Sequence, residues 1–200
     1  MMTTDLHQSP AENTGFSTAT PTVASLPSPT GGETLEFRAL GPEDGELVAE
    51  VLEGLSARSR QMRFASPMPR IDRRVLRYLC AIDGERHVAW GAFNGDRMVA
   101  MGRFVRFADD RTTAEASLTV TDGWQRRGLG PALLHRLAEE ARELGVERFA
   151  FTVSGDNRPA QKLLERLGVK LRYQSGLGEG SLPVAVLAGA GVDRAMDRAA

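Results

Sequence analysis

The chain has 200 residues, 42% of them hydrophobic, enough for one domain with a real core, and 25 basic against 26 acidic residues. That near-neutral balance gives no argument for a nucleic-acid or membrane partner, so any basic patch has to be local. The single cysteine, Cys80, rules out an internal disulfide and has no metal-ligand spacing around it, so a buried thiol and no metal are expected.

Residues 1–32 contain no Lys or Arg and 18 Thr, Ser, Pro or Gly residues, so they lack the basic start and apolar run of a signal peptide. The cytoplasm is the expected location. Leu6, Phe16, Val23 and Leu26 stand isolated among polar neighbours, too little apolar area to offset chain entropy, which predicts a disordered tail. The folded domain is expected over residues 33–188.

Residues 34–40 alternate like a half-buried strand and stop at Gly41 and Pro42. Leu47, Val48, Val51, Leu52 and Leu55 then recur at helical spacing. Residues 56–79 carry a second helical pattern, Ile71, Val75, Leu76 and Leu79, after the break at Pro67 and Pro69. Seven arginines lie there, at 58, 60, 63, 70, 73, 74 and 77, opposed only by Asp72. Solvated helix faces account for most of them.

Two apolar runs, 86–93 and 97–107, flank Asn94 and Gly95, the strongest short hairpin signal. A third strand is expected over 113–121. A helix over about 131–144 would bury Leu133, Leu134, Leu137, Ala141 and Leu144, leaving His135 off the stripe and in solvent. Phe149, Phe151 and Val153 alternate in the next strand, Asp156 or Asn157 caps the next helix, and Gly168 ends it. Two last strands, about 169–175 and 182–188, close the sheet, and residues 189–200 are expected to fray. A hairpin-rich front followed by strand, helix, strand, helix predicts a mixed α/β sheet, not a doubly wound one.

The rest is arranged around residues 118–130, where an apolar strand runs through Asp122 and Gly123 into Gln125, Arg126, Arg127, Gly128, Leu129 and Gly130 and then a long amphipathic pattern. Two glycines one residue apart let consecutive N–H groups face one concave pocket, and the following helix aims its positive dipole end at the same place. That is a phosphate cradle. A Rossmann site would want a third glycine and a later ribose-binding acid.

The stretch from Gln125 to Gly130, between a strand and a helix, resembles the acyl-CoA signature of the GNAT superfamily of N-acetyltransferases, and the stretch from Asp156 to Gly168 resembles its second helix motif. The likeness spans roughly residues 34–188. Residues 54–64 are also loosely similar to the acetyltransferase domain of bacterial Pat-type protein-lysine acetyltransferases. The resemblance implies an α/β (α+β) fold whose mixed, mostly antiparallel sheet has about seven strands, with about four helices. It implies acetyl-CoA as co-substrate and a primary amine as acceptor, a protein lysine or a small molecule. A non-catalytic acyl-CoA sensor and a homodimer both stay open.

By the same resemblance, the backbone of Leu118, Thr119 and Val120 pairs with pantetheine, and a backbone N–H there polarises the thioester carbonyl. The N–H groups of Gln125, Arg126, Arg127, Gly128, Leu129 and Gly130 hold the pyrophosphate. Asn157 either contacts the cofactor near its sulfur or only caps its helix. Glu115 shares a strand face with Ser117 and Thr119 and is the candidate general base. A carboxylate near pKa ~4.3 is a poor base for a lysine near ~10.4, so burial must raise it or water must relay the proton. Two positions depart from the pattern. Pro131 removes one N–H at the helix start, and Leu164 stands where many members carry a tyrosine acid.

Overall fold

The alternation read over residues 34–40 becomes β2 (Thr34–Leu40), with Thr34 and Glu36 exposed and Leu35 and Phe37 buried. In the computed structural model the described residues are 24–27, 34–66 and 70–189. The other strands are β1 (Ala24–Pro27), β3 (His87–Asn94), β4 (Arg97–Arg106), β5 (Thr113–Val120), β6 (Arg148–Ser154), β7 (Arg172–Gln174) and β8 (Leu177–Pro183). The helices are α1 (Gly45–Glu53), α2 (Ala57–Phe64), α3 (Arg73–Cys80), α4 (Leu129–Glu143), α5 (Arg158–Arg166) and α6 (Val184–Ala188). They form one sheet in the order β1-β2-β3-β4-β5-β6-β8-β7, antiparallel throughout except where β5 meets β6.

The mixed, mostly antiparallel sheet is as expected, but three boundaries differ. First, part of the segment read as a tail is ordered, because Ala24–Pro27 adds an edge strand to β2, in register from Ala24 beside Phe37 to Pro27 beside Thr34. The rest of residues 1–32 lies outside the described residues, as do 190–200. Second, the arginine-rich stretch is two helices, α2 capped by Ser56 and α3 capped by Asp72, whose side chains accept the N–H groups of Ser59 and Arg74. Third, the last strand runs over Leu177–Pro183 and not over 182–188. β8 stops at Pro183, the Val184 N–H turns to the Glu147 carbonyl, and Val184 and Leu187 bury at helical spacing as α6. Six helices therefore stand among the described residues where about four were expected.

Each face of the sheet has its own core. One is built on Val88, Trp90, Phe104 and Phe149 and covered by Leu133, Leu134 and Leu137 of α4. The other holds Ala89, Phe93 and Met101 under Val48, Val51 and Leu52 of α1 and Leu79 of α3. Because α6 packs on the outer side of α4, His135 is 7% exposed, not solvated, and its Nδ1 lies 2.9 Å from the Leu187 carbonyl. The helical stripe fell short there because it counts only the face turned to the sheet.

Deleting residues 1–32 removes the four-residue β1 but leaves β2 paired to β3 along Glu36–Leu40. The melting temperature should fall by only a few degrees, roughly 1 kcal/mol, with acetyl-CoA affinity unchanged. A collapse of the melting transition on truncation would show that the segment is integral to the core.

Candidate active site

β5 and β6 pair in parallel only at Thr113–Arg148, Ala114–Phe149 and Glu115–Ala150. Beyond that point β5 stays with β4 as far as Val120, and β6 stays with β8 as far as Ser154, so the two strands part and leave a gap. Antiparallel pairing alternates which residues turn their backbone groups to the partner. The Thr121 N–H goes to Val99 O at 3.0 Å and Phe107 N–H goes to Thr113 O at 3.1 Å, so the odd-numbered residues of β5 face β4. Leu118 and Val120 consequently turn their N–H and C=O groups into the gap, while those of Thr119 belong to the β4 ladder. Among the described residues, only the Val120 carbonyl is taken there, by Gln125 Nε2 at 3.2 Å. Thr119 contributes a side chain on the sheet face instead.

The gap runs into the turn at Gln125 to Gly128. Arg126, at φ +61, and Gly128, at φ +75, are both left-handed, and Gly128 is the N-cap of α4. The first helical bond is Ala132 N–H to Gly128 O at 3.2 Å, so the N–H groups of Leu129 and Gly130 are not used by the α4 ladder. Pro131 is the third residue of the helix and offers none. Gly130 has another job: a Cβ there would lie 3.3 Å from Leu163 Cδ2 and 3.5 Å from Leu118 Cδ1, so its bareness lets α5 and β5 close on α4. Arg126 is exposed, and the Arg127 guanidinium lies 4.6 Å from the centroid of the Trp124 ring.

Asp122 ties this turn to α2. Its Oδ1 accepts the hydroxyls of Ser59 at 2.7 Å and Ser56 at 2.8 Å, its Oδ2 accepts the Ser56 N–H at 3.0 Å, and Gln125 Nε2 reaches Ser59 Oγ at 3.2 Å. On α5, Asn157 is the helix cap, its Oδ1 accepting the Ala160 N–H at 3.2 Å. Gln161, which the sequence did not single out, is buried and clamps the end of β6 by donating to the Ser154 and Gly155 carbonyls at 2.9 and 2.8 Å. Leu164 is 6% exposed within the core.

On the opposite side of the gap, the face of β5 that carries Glu115, Ser117 and Thr119 meets α2. Arg63 donates from Nε to Thr119 Oγ1 at 3.2 Å and from Nη2 to Ser117 Oγ at 3.0 Å. Glu115 is exposed. Arg103, opposite Ser117 in the ladder, is buried and lies 4.9 Å from the centroid of the Tyr78 ring. His87, in the same row as Glu115 through Val105, is driven down to about 4 by burial and then by Arg103, so its imidazole is neutral at physiological pH. The sequence flagged Arg63 only as one of seven arginines and missed Arg103 and His87, because strand pairing alone brings them together. Cys80 is half-buried and its thiol is pushed up by that burial.

A β-sheet split at one parallel junction, with a left-handed turn and a helix start at the mouth of the split, defines an acyl-CoA-type transferase fold, and the chain belongs to the Acetyltransferase (GNAT) family, whose profile matches residues 53–169. Among relatives, it is 34% identical over 139 residues to Acetyltransferase Pat of Mycolicibacterium smegmatis, covering 68% of this chain and 41% of that protein. The chain thus spans less than half the length of that relative. It is similar to the GNAT domain of S. lividans PAT at TM-score 0.73 and 27% identity, over 80% of this chain and 96% of that one. A putative acetyltransferase, yncA of Salmonella typhimurium, solved with acetyl-CoA, shares the fold at TM-score 0.62 and 20% identity, over 75% of this chain and 94% of that one. Among the described residues no helix is long and apolar enough to cross a membrane, and no group of three His, Cys, Asp or Glu side chains is placed to hold a metal.

Asp122→Asn should cost about 1 kcal/mol of stability, since an exposed site screens the loss of one acceptor oxygen. It should weaken acetyl-CoA severalfold before it slows turnover. In Asp122 burial pushes the carboxyl up, but the Ser56 and Ser59 hydrogen bonds outweigh it and hold it below the usual range. Its stabilisation is therefore complete above the unfolded value near ~4 and is lost only as pH falls through the lower folded value. A variant with an unchanged acetyl-CoA KM and a depressed kcat would place Asp122 in the chemistry instead of the brace.

Proposed function

We propose that this domain transfers the acetyl group of acetyl-CoA to a primary amine, with a protein lysine as the acceptor. The observation that carries the reading is the strand gap: the backbone N–H and C=O of Leu118 and the N–H of Val120, uncommitted among the described residues, lie on the path to the N–H groups at the start of α4 that the helix ladder does not use. A pantetheine arm needs strand-like partners, and a pyrophosphate needs convergent N–H donors beside a helix start. The residues fit both, with Pro131 reducing the grip by one donor, about 1 kcal/mol. The acetyl-CoA bound in the Salmonella neighbour supports the choice of donor, and the loose resemblance of residues 54–64 to Pat-type protein-lysine acetyltransferases supports a protein lysine.

When bound, acetyl-CoA supplies the activated acetyl group. The chain's residues do the rest: Leu118 and Val120 hold the arm in the gap, the turn from Gln125 to Gly130 fixes the pyrophosphate, and a β5 N–H facing the gap polarises the carbonyl. Glu115 takes the amine proton through water. No tyrosine stands at Leu164 to protonate the thiolate, and a thiol with pKa near ~8.5 can leave as the anion or take its proton from water. The buried Leu164 also supports a second reading, an acyl-CoA sensor without turnover.

Release of free thiol from acetyl-CoA with lysine peptides and small amines separates these readings. Turnover with peptides supports the first, and turnover with small amines alone moves the acceptor. Acetyl-CoA-dependent melting without any thiol release supports the sensor.

A further inference from the structure

The face of β5 turned to α2 holds more positive charge than its own residues balance. Arg103 is 6% exposed, and among the described residues its Nη1 has no hydrogen-bond partner. Arg63 comes to the same patch from α2, with Nε and Nη2 on the hydroxyls of Thr119 and Ser117, which satisfy N–H groups but supply no counter-charge. Ser117 is itself the ladder partner of Arg103. Burial, and then repulsion from Arg103, bring Arg63 down to about 10, still cationic at neutral pH. Glu115 is the carboxylate whose field reaches both, yet among the described residues neither arginine forms an ion pair. Arg103 also interacts with Tyr78, its ring and its hydroxyl, but that partner is neutral, and a buried guanidinium without a counter-charge is costly, while its planar donor fork matches a carboxylate.

We infer that Arg63 and Arg103 form an anion subsite for a carboxylate of the acceptor, so that the preferred acceptor carries a carboxylate close to its reacting amine. The inference rests on the transferase reading above and narrows its substrate class. Ser117 and Thr119, which hold Arg63, flank Leu118, whose backbone faces the gap where the acetyl group would lie. Amine and carboxylate therefore belong to one small region of one acceptor: a free amino acid, or a lysine beside Asp or Glu in a peptide.

The test compares matched acceptors by thiol release from acetyl-CoA: α-amino acids against their α-carboxamides, and lysine peptides flanked by Asp or Glu against the same peptides with Asn or Gln. The carboxylate member of at least one pair type should show a kcat/KM about 10- to 100-fold higher, the range of a charge-assisted hydrogen bond. The arm that responds identifies the source. In Arg103→Gln and Arg63→Gln the ratio should fall to near one while acetyl-CoA affinity stays, and Arg103→Lys should recover part of it. If Arg103→Gln does not fold, Arg63→Gln decides, because Arg63 is only partly buried on a surface helix. Equal use of both members of every pair, a preference that survives both variants, or a loss confined to acetyl-CoA affinity would overturn the subsite. Absence of turnover with every acceptor would instead count against the transferase. Melting would then decide: stabilisation by the carboxylates and not the carboxamides, abolished in the variants, keeps the subsite, and no stabilisation overturns it.

Discussion

Gly128→Val is expected to abolish acetyl-CoA binding while the domain remains folded. Gly128 caps α4 at φ +75 and ψ −1, and a β-branched residue in that left-handed region costs about 1–2 kcal/mol or more. The turn must move to relieve the strain, and the N–H groups of Leu129 and Gly130 lose their common aim. Calorimetry should show acetyl-CoA affinity reduced by at least ~100-fold, roughly 3 kcal/mol, with a cooperative melt retained. Gly128→Asn separates two causes, since Asn tolerates the left-handed backbone yet still places a side chain at the turn. Retained binding in Asn assigns the loss in Val to strain, and loss in both assigns it to the filled space. Gly130→Ala should be milder, a fewfold effect, because its Cβ presses on Leu163 and Leu118 and not on the turn. Wild-type affinity in Gly128→Val would remove the cradle from the mechanism.

Glu115→Gln is expected to lower kcat/KM by roughly 10²–10⁴-fold at neutral pH, the usual contribution of a general base. Shape is kept and the proposed base is removed. Acetyl-CoA affinity should hardly change, because Glu115 lies where β5 still pairs with β6, before the gap opens. At high pH the amine is already more deprotonated and the deficit should shrink. The substitution also removes the carboxylate whose field reaches Arg63 and Arg103. A variant with full activity across the pH range would leave water or another residue as the base.

Much of this was written locally. The alternation of Thr34–Leu40, the turn signal at Asn94 and Gly95, the capping Asn157 and the glycine pair after β5 each depend on a few neighbouring residues, and each appears near where the sequence places it, Gly95 and Asp96 forming the two-residue loop between Asn94 and Arg97. The chain order of the elements and the glycine turn before a helix start follow from those signals.

Tertiary structure decided what depends on partners distant in sequence. Which of Leu118, Thr119 and Val120 faces the gap is set by register against β4. The gap itself exists because β6 holds β8 along its whole length but β5 for three residues only. Residues 182–188 read as a strand, but β8 ends at Pro183 and α6 follows, because Val184 and Leu187 find a core face on α4. Buried His135 and the pairing of Arg63 with Ser117 and Thr119 have the same origin. A periodic pattern reports how an element faces one neighbour, while charge balance and the choice of uncommitted backbone groups are fixed only when several elements meet.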